Sequence, residues 1–261
     1  MRRFAFCLLL GSLLSPLASP GFADTTKEPD PNEIIKKFAA KEAQFQKARE
    51  NYTYRQSVKI QELDADGNPR GKYEIVSDIV FGADNKRSEH VVRAPVSTLQ
   101  NILLTPDDEA DLRNVQPFVL TTSTIGEYDI RYLGKQKVDE ISCYMFSVKP
   151  KTLEKGKRYF EGEIWVDDRD LQIVKTYGKG VGVRHRGQDD QFPKFETYRE
   201  QIDGKYWFPT YTTANDTLRF QAGPQRIKMT VKYENYKQFK SDASITFGDE
   251  VEKTPPPAPP K

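Results

Sequence analysis

"GEIWVDDRDLQIVKTYGKG", residues 162–180, sets two apolar runs on either side of a knot of aspartates. Ile164 and Val166 lead in, and Leu171, Ile173 and Lys175 lead out, with the period of two that marks a strand. Between them Asp167, Asp168 and Asp170 either close a turn or gather a cation. Aspartate caps turn amides through its side chain and tolerates uncommon backbone angles, so strand, acidic turn, strand is ordinary hairpin chemistry. Three neighbouring carboxylates also suit a hard divalent ion. The flanking alternation favours the turn, and the stretch predicts a β-hairpin without chemistry of its own.

The same pattern recurs outward in both directions. "YTYRQSVKIQEL" from Tyr52 places Tyr54, Val58 and Ile60 on one side, "KYEIVSDIVFG" alternates likewise, and the turn-rich "DADGNPRG" joins them. "YREQIDGKYWFPTYTTAN" repeats the hairpin around Asp203-Gly204, and "RIKMTVKYENYKQF" makes a last strand. Ahead of these strands, "DPNEIIKKFAAKEAQFQKARE" predicts one amphipathic helix, with Asp30 as N-cap, Pro31 at the first helical position and Glu33 closing a capping box. Ile34, Ile35, Phe38 and Phe45 recur at helical spacing.

Residues 94–118, "APVSTLQNILLTPDDEADLRNVQPF", lose the strand period. Ser97 is placed to cap a short helix carrying Leu99, Ile102 and Leu103, and Thr105 with Pro106 and Asp108 to start a second carrying Leu112 and Val115. Helices inserted into a meander must pack on one face of its sheet. The fold class expected is therefore mainly β with helices (α+β), a curved antiparallel sheet forming an incomplete β-barrel, covered by an N-terminal helix and a helical lid insertion.

The ends read differently. Arg2 and Arg3, a short apolar run and small residues up to Ala23 form a secretory signal peptide over residues 1–23, too short and broken to span a bilayer. Cys7 sits inside the apolar run, away from the cleavage point where a lipoprotein cysteine would stand. A linker over 24–30, one domain over 31–247 and a proline-rich tail over 248–261 complete the expected organisation. Losing the leader takes Lys+Arg from 40 to 38 against 38 Asp+Glu. A neutral chain has no global field to hold nucleic acid or an anionic membrane. Cys143 would be the one remaining thiol, so no intrachain disulfide is expected and the core must carry stability. In "ISCYMFSV" it alternates with Ile141 and Met145, as a buried small hydrophobe does.

Motifs for chemistry are sparse. "DADGNP" at 64–69 starts like a calcium loop but has Pro69 and Ile75 where that loop needs glycine and glutamate. "GKGVG" at 178–182 has dinucleotide-like glycines but ends in Val183 outside any strand–helix unit. Lys175, Lys179, Arg184, His185 and Arg186 make a basic loop, read as solvated rather than phosphate-binding. His90 and His185 are isolated imidazoles, leaving nothing from which to build a zinc site or a histidine-dependent hydrolase. No catalytic residue, cofactor or metal is expected, with an Asp/Glu-dependent hydrolase as the last alternative.

At "GEIWVDDRDLQIVKTYGKG" and "IDGKYWFPTYTT" the chain resembles the LolA/LolB-type superfamily of periplasmic lipoprotein carriers, whose strands read "xIWVDxxxxxIVK" and "DGxxFP". The resemblance spans roughly residues 30–240. It implies a half-open β-barrel whose apolar cavity receives lipid or lipoprotein acyl chains without catalysis, in the periplasm and with no integral membrane span. Leu99, Ile102, Leu103, Leu112 and Val115 would then line the cavity or seal its lid, and Leu103→Ala would test whether the cavity is open or filled. The alternative is an envelope module with a filled core and a protein partner.

Overall fold

Tyr52, Tyr54, Gln56, Val58, Ile60 and Glu62 all turn to the same side of strand β1 (Tyr52–Leu63) and are all buried, because side chains alternate along a strand. That parity continues across the computed structural model, which describes residues 30–82, 86–183, 192–220 and 222–239. One antiparallel sheet is formed by β1, β2 (Pro69–Phe81), β3 (Arg87–Arg93), β4 (Tyr128–Val138), β5 (Ile141–Pro150), β6 (Tyr159–Asp167), β7 (Ile173–Val181), β8 (Phe195–Ile202), β9 (Tyr206–Phe220) and β10 (Gly223–Gln238). Its order is β3-β2-β1-β10-β9-β8-β7-β6-β5-β4. The sheet does not close, since β3 and β4 are unpaired at its two edges. This is the incomplete barrel expected from the sequence.

The hairpins form where the turn chemistry placed them. Asp64 accepts the backbone N–H groups of Asp66 (3.0 Å) and Asn68 (2.8 Å) between β1 and β2. Asp203 and Gly204 both have positive φ (56° and 66°), as the tightest hairpin turns require. In the opening stretch Asp167 accepts from the N–H of Arg169 at 3.1 Å, while Asp170 accepts from Gln201 Nε2 (2.6 Å) and Trp207 Nε1 (3.1 Å). One aspartate caps the turn and another ties it to the β8–β9 hairpin. Among the described residues no three His, Cys, Asp or Glu side chains gather into a metal-sized group.

Helix α1 (Pro31–Arg49) is capped by Asp30, whose side chain accepts from Asn32 N–H. Glu33 does not close the expected capping box but pairs with Lys36 at 3.3 Å. The helix buries Ile34, Phe38, Ala39, Glu42 and Phe45 against the concave face of the sheet. Phe38 packs on Phe146 at 5.5 Å between ring centres, and Phe45 meets Phe208 edge-on at 5.1 Å. Each buried phenylalanine contributes about 1.5–3 kcal/mol.

On the convex face Cys143, Trp165 and Val174 make a small separate cluster. Burial there pushes the Cys143 thiol up to about 12, aided by the nearby Asp167 carboxylate. A thiolate is the reactive form, so Cys143 is expected to resist a maleimide in the folded protein and react fully in denaturant, followed by mass. Lys175 lies on the same face over Trp165 and Tyr198, paired with Glu196 at 3.0 Å. It is a strand residue with its charge engaged, not part of a basic loop. Arg184, His185 and Arg186, the leader (1–23) and the tail (248–261) lie outside the described residues.

Candidate functional site

The segment 94–127 leaves edge strand β3 and arrives at edge strand β4, so it must cross the open side of the sheet. Its first part is not the expected helix. Residues 97–104 are irregular because the buried carboxylate of Glu62 accepts the N–H groups of Gln100 (2.9 Å), Asn101 (2.6 Å) and Ile102 (2.7 Å). Donors held by a side chain are withdrawn from a helix. Hydrogen bonds to a charged acceptor are roughly twice as strong as neutral ones. Thr98 N–H donates to the Lys72 carbonyl of β2 at 2.9 Å, and Lys72 N–H donates to Thr98 Oγ1 at 3.0 Å. Gly71 permits this approach, since a Cβ there would lie 2.5 Å from the Thr98 carbonyl and 2.8 Å from Glu62 Oε2.

The second expected helix forms. Thr105 and Asp108 make a reciprocal capping box at the start of α2 (Pro106–Ala110), which continues as a π-helical turn over Asp111–Val115. That turn delivers Asp111 to Arg158, with Nε to Oδ1 at 2.8 Å and Nη2 to Oδ2 at 2.6 Å. Both side chains are about nine-tenths buried (10% and 9% exposed). Burial pushes the Asp111 carboxyl up, against the pull of Arg158. Gly180 of β7 makes room for the pair, since a Cβ there would stand inside the Asp111 carboxylate. The alternate glycines of "GKGVG" thus face inward to admit this ion pair and, at Gly178, the ring of Phe160.

Beyond the π-helical turn the lid is held again. Thr197 Oγ1 donates to the Gln116 carbonyl at 3.0 Å, and Arg199 Nη2 donates to the Phe118 carbonyl. Arg199 is itself paired with Glu42 of α1, Nη1 to Oε1 at 3.1 Å, and both are buried. Desolvation raises the Glu42 pKa and lowers that of Arg199, while their mutual attraction opposes both shifts.

Between the Glu62 and Arg158 fastenings, an apolar pocket opens beneath the lid. Ile60, Leu218, Ile227 and Met229 of the sheet face Ile102, Leu103, Leu104 and Leu112 of the lid, with Asp108 and Asp111 at the edge. It holds about 640 Å³ of atom-free space counting its open mouth, and it is a narrow slot. Of the five residues expected from sequence, Ile102, Leu103 and Leu112 are brought together in its wall. Leu99 is half-buried outside it, and Val115 is in the main core. Leu103 is 85% exposed, so it marks the mouth rather than the interior.

No protein-family model matches the chain, and no curated protein does. Solved structures do resemble it. A DUF1329 family protein from Desulfovibrio piger is 14% identical with a TM-score of 0.39, over 80% of this chain and 94% of that one. A LolA superfamily protein from Nitrosomonas europaea is 14% identical with a TM-score of 0.34, over 80% and 93%. A chain of the MucA/MucB complex of Pseudomonas aeruginosa is 11% identical with a TM-score of 0.21, over 76% and 99%. LolA-superfamily structures are therefore among those this chain resembles.

Glu62, Arg158 and Arg199 belong to no motif, yet two of them leave a trace. Glu62 and Arg199 are charged residues at inward positions of alternating strands. No helix among the described residues is long and apolar enough to cross a membrane.

Proposed function

We propose that the chain is a non-enzymatic binding or carrier protein for lipids or lipoprotein acyl chains. On this reading it is exported with its leader removed near Ala23 and works in the periplasm through one domain over 31–247. The observation that carries the proposal is the apolar pocket under a lid segment held on one side by Glu62 and on the other by Arg158. An apolar slot of this kind can take an acyl chain at about 0.8 kcal/mol per buried methylene. A second reading, an envelope module with a protein partner, draws on the narrowness of the slot and the aromatic filling of the concave face.

Mass spectrometry of the mature protein from a bacterial periplasm, native and then after organic extraction, tests the choice. Stoichiometric lipid supports the carrier, and a ligand-free protein that retains a polypeptide favours the module. Leu103→Ala does not separate the two, because so exposed a side chain is expected to cost within about 0.5 kcal/mol either way. Leu112→Ala does. A filled core loses about 2–5 kcal/mol in urea unfolding, whereas a carrier keeps most of its stability and loses bound lipid.

A further inference from the structure

We propose that the pocket takes the alkyl part of an amphiphile whose head group is uncharged or cationic, and that it disfavours anionic heads. The inference rests on the carrier reading above and concerns what the pocket's wall can offer a ligand.

Among the described residues, none of the side chains in that wall is a cation or carries a hydrogen-bond donor. Its two polar members are both acceptors, Asp108 and Asp111. Asp111 is spent on Arg158, and Asp108 Oδ2 accepts from the N–H and the hydroxyl of Thr105 at 2.7 Å each. The backbone donors nearest the inner turn of the lid, on 100–102, already point at Glu62. Arg158 uses Nε and Nη2 on Asp111, and its guanidinium lies 3.8 Å from the centre of the Phe192 ring. A carboxylate or phosphate drawn into this mouth would lose hydration with no side-chain donor of the wall to replace it.

The surrounding charge works in the same direction. Asp107 stands exposed on the first turn of α2 beside Asp108, and both act on Asp111, while the exposed Glu109 is paired with Arg113 at 3.4 Å. Among the described residues, the neighbouring cations are engaged elsewhere. Lys194 and Arg219 line a different groove, and Arg226 donates to the Ala65 carbonyl at 3.0 Å in the β1–β2 turn.

Displacement of the dye N-phenyl-1-naphthylamine from the mature protein reads the preference. The competitors share a twelve-carbon chain: dodecyltrimethylammonium, dodecyl maltoside and dodecanoate, all below micellar concentrations. At low salt the cation is expected to compete about tenfold better than dodecanoate, and the gap should shrink in 1 M salt. Asp107→Asn should narrow that gap, since its side chain lies outside the capping box. Dodecanoate competing as well as the cation would overturn the inference while leaving the carrier reading intact. Tighter dodecanoate binding that disappears in Arg158→Gln would overturn it too, by placing the head on Arg158 in exchange for Asp111. If the dye and all three amphiphiles fail to bind, the carrier reading fails and takes this inference with it.

Discussion

Arg199→Met is expected to lower the unfolding free energy by about 3–5 kcal/mol, the cost of leaving one member of a buried ion pair unpartnered. Glu42 has no access to water and would keep the Ile173 N–H, at 3.1 Å, and the weaker attraction of Arg49. The Phe118 carbonyl would lose its donor as well. The loss should therefore appear both as a lower urea midpoint and as faster exchange of lid amides near 116–120. The double variant Glu42→Leu with Arg199→Met removes both charges and should recover most of the stability, because a buried pair often does no better than apolar residues of similar volume. A single variant within about 1 kcal/mol of the parent would show that water reaches Glu42.

Gly180→Ala is expected to unfasten the lid from beneath without altering any lid residue. The new methyl would lie 2.6 Å from Asp111 Cγ and 2.8 Å from Arg158 Nη2, so the pair must part or β7 must shift. Overpacking of this kind costs about 1–3 kcal/mol, and here it falls on the fastening rather than on the sheet. Amides 103–115 should exchange at least about tenfold faster, which corresponds to about 1.4 kcal/mol of local stability. The β1–β10 ladder should keep its protection. Equal acceleration across the whole sheet would mean that the ion pair supports the barrel and not the lid.

The hairpins were legible because each rests on local information: period-two alternation, Asp64 or Asp203 at the turn, and glycine where φ is positive. The lid was legible only in half. Thr105, Pro106 and Asp108 start a helix by contacts within four residues, and that helix is present. Leu99, Ile102 and Leu103 are equally well spaced for a helix, but the N–H groups that would build it belong to Glu62, 38 to 40 residues earlier. No local pattern carries that competition. The same holds for Arg158 with Asp111, 47 residues apart, and Arg199 with Glu42, 157 apart. What the sequence does carry is half of each pair, as a charge at an inward position of a strand or helix. The inward glycines at 178, 180 and 182 are a similar mark, a column emptied to receive something bulky from elsewhere in the chain.

The pairing of β1 with β10 has a consequence for how the protein comes into being. Val58 sits opposite Val231, so an interior seam of the sheet joins the first strand to the last. Contacts that distant in sequence form slowly, because a long loop must close before any of them is rewarded. A chain synthesised or translocated only as far as Phe220 has two separate pieces, β1 to β3 and β4 to β9, each with an unsatisfied edge where β10 belongs. Raw edges of that kind invite pairing between molecules. The sixteen residues of β10 are thus the closing seam of the molecule, and until they emerge every copy depends on its surroundings to keep it from aggregating.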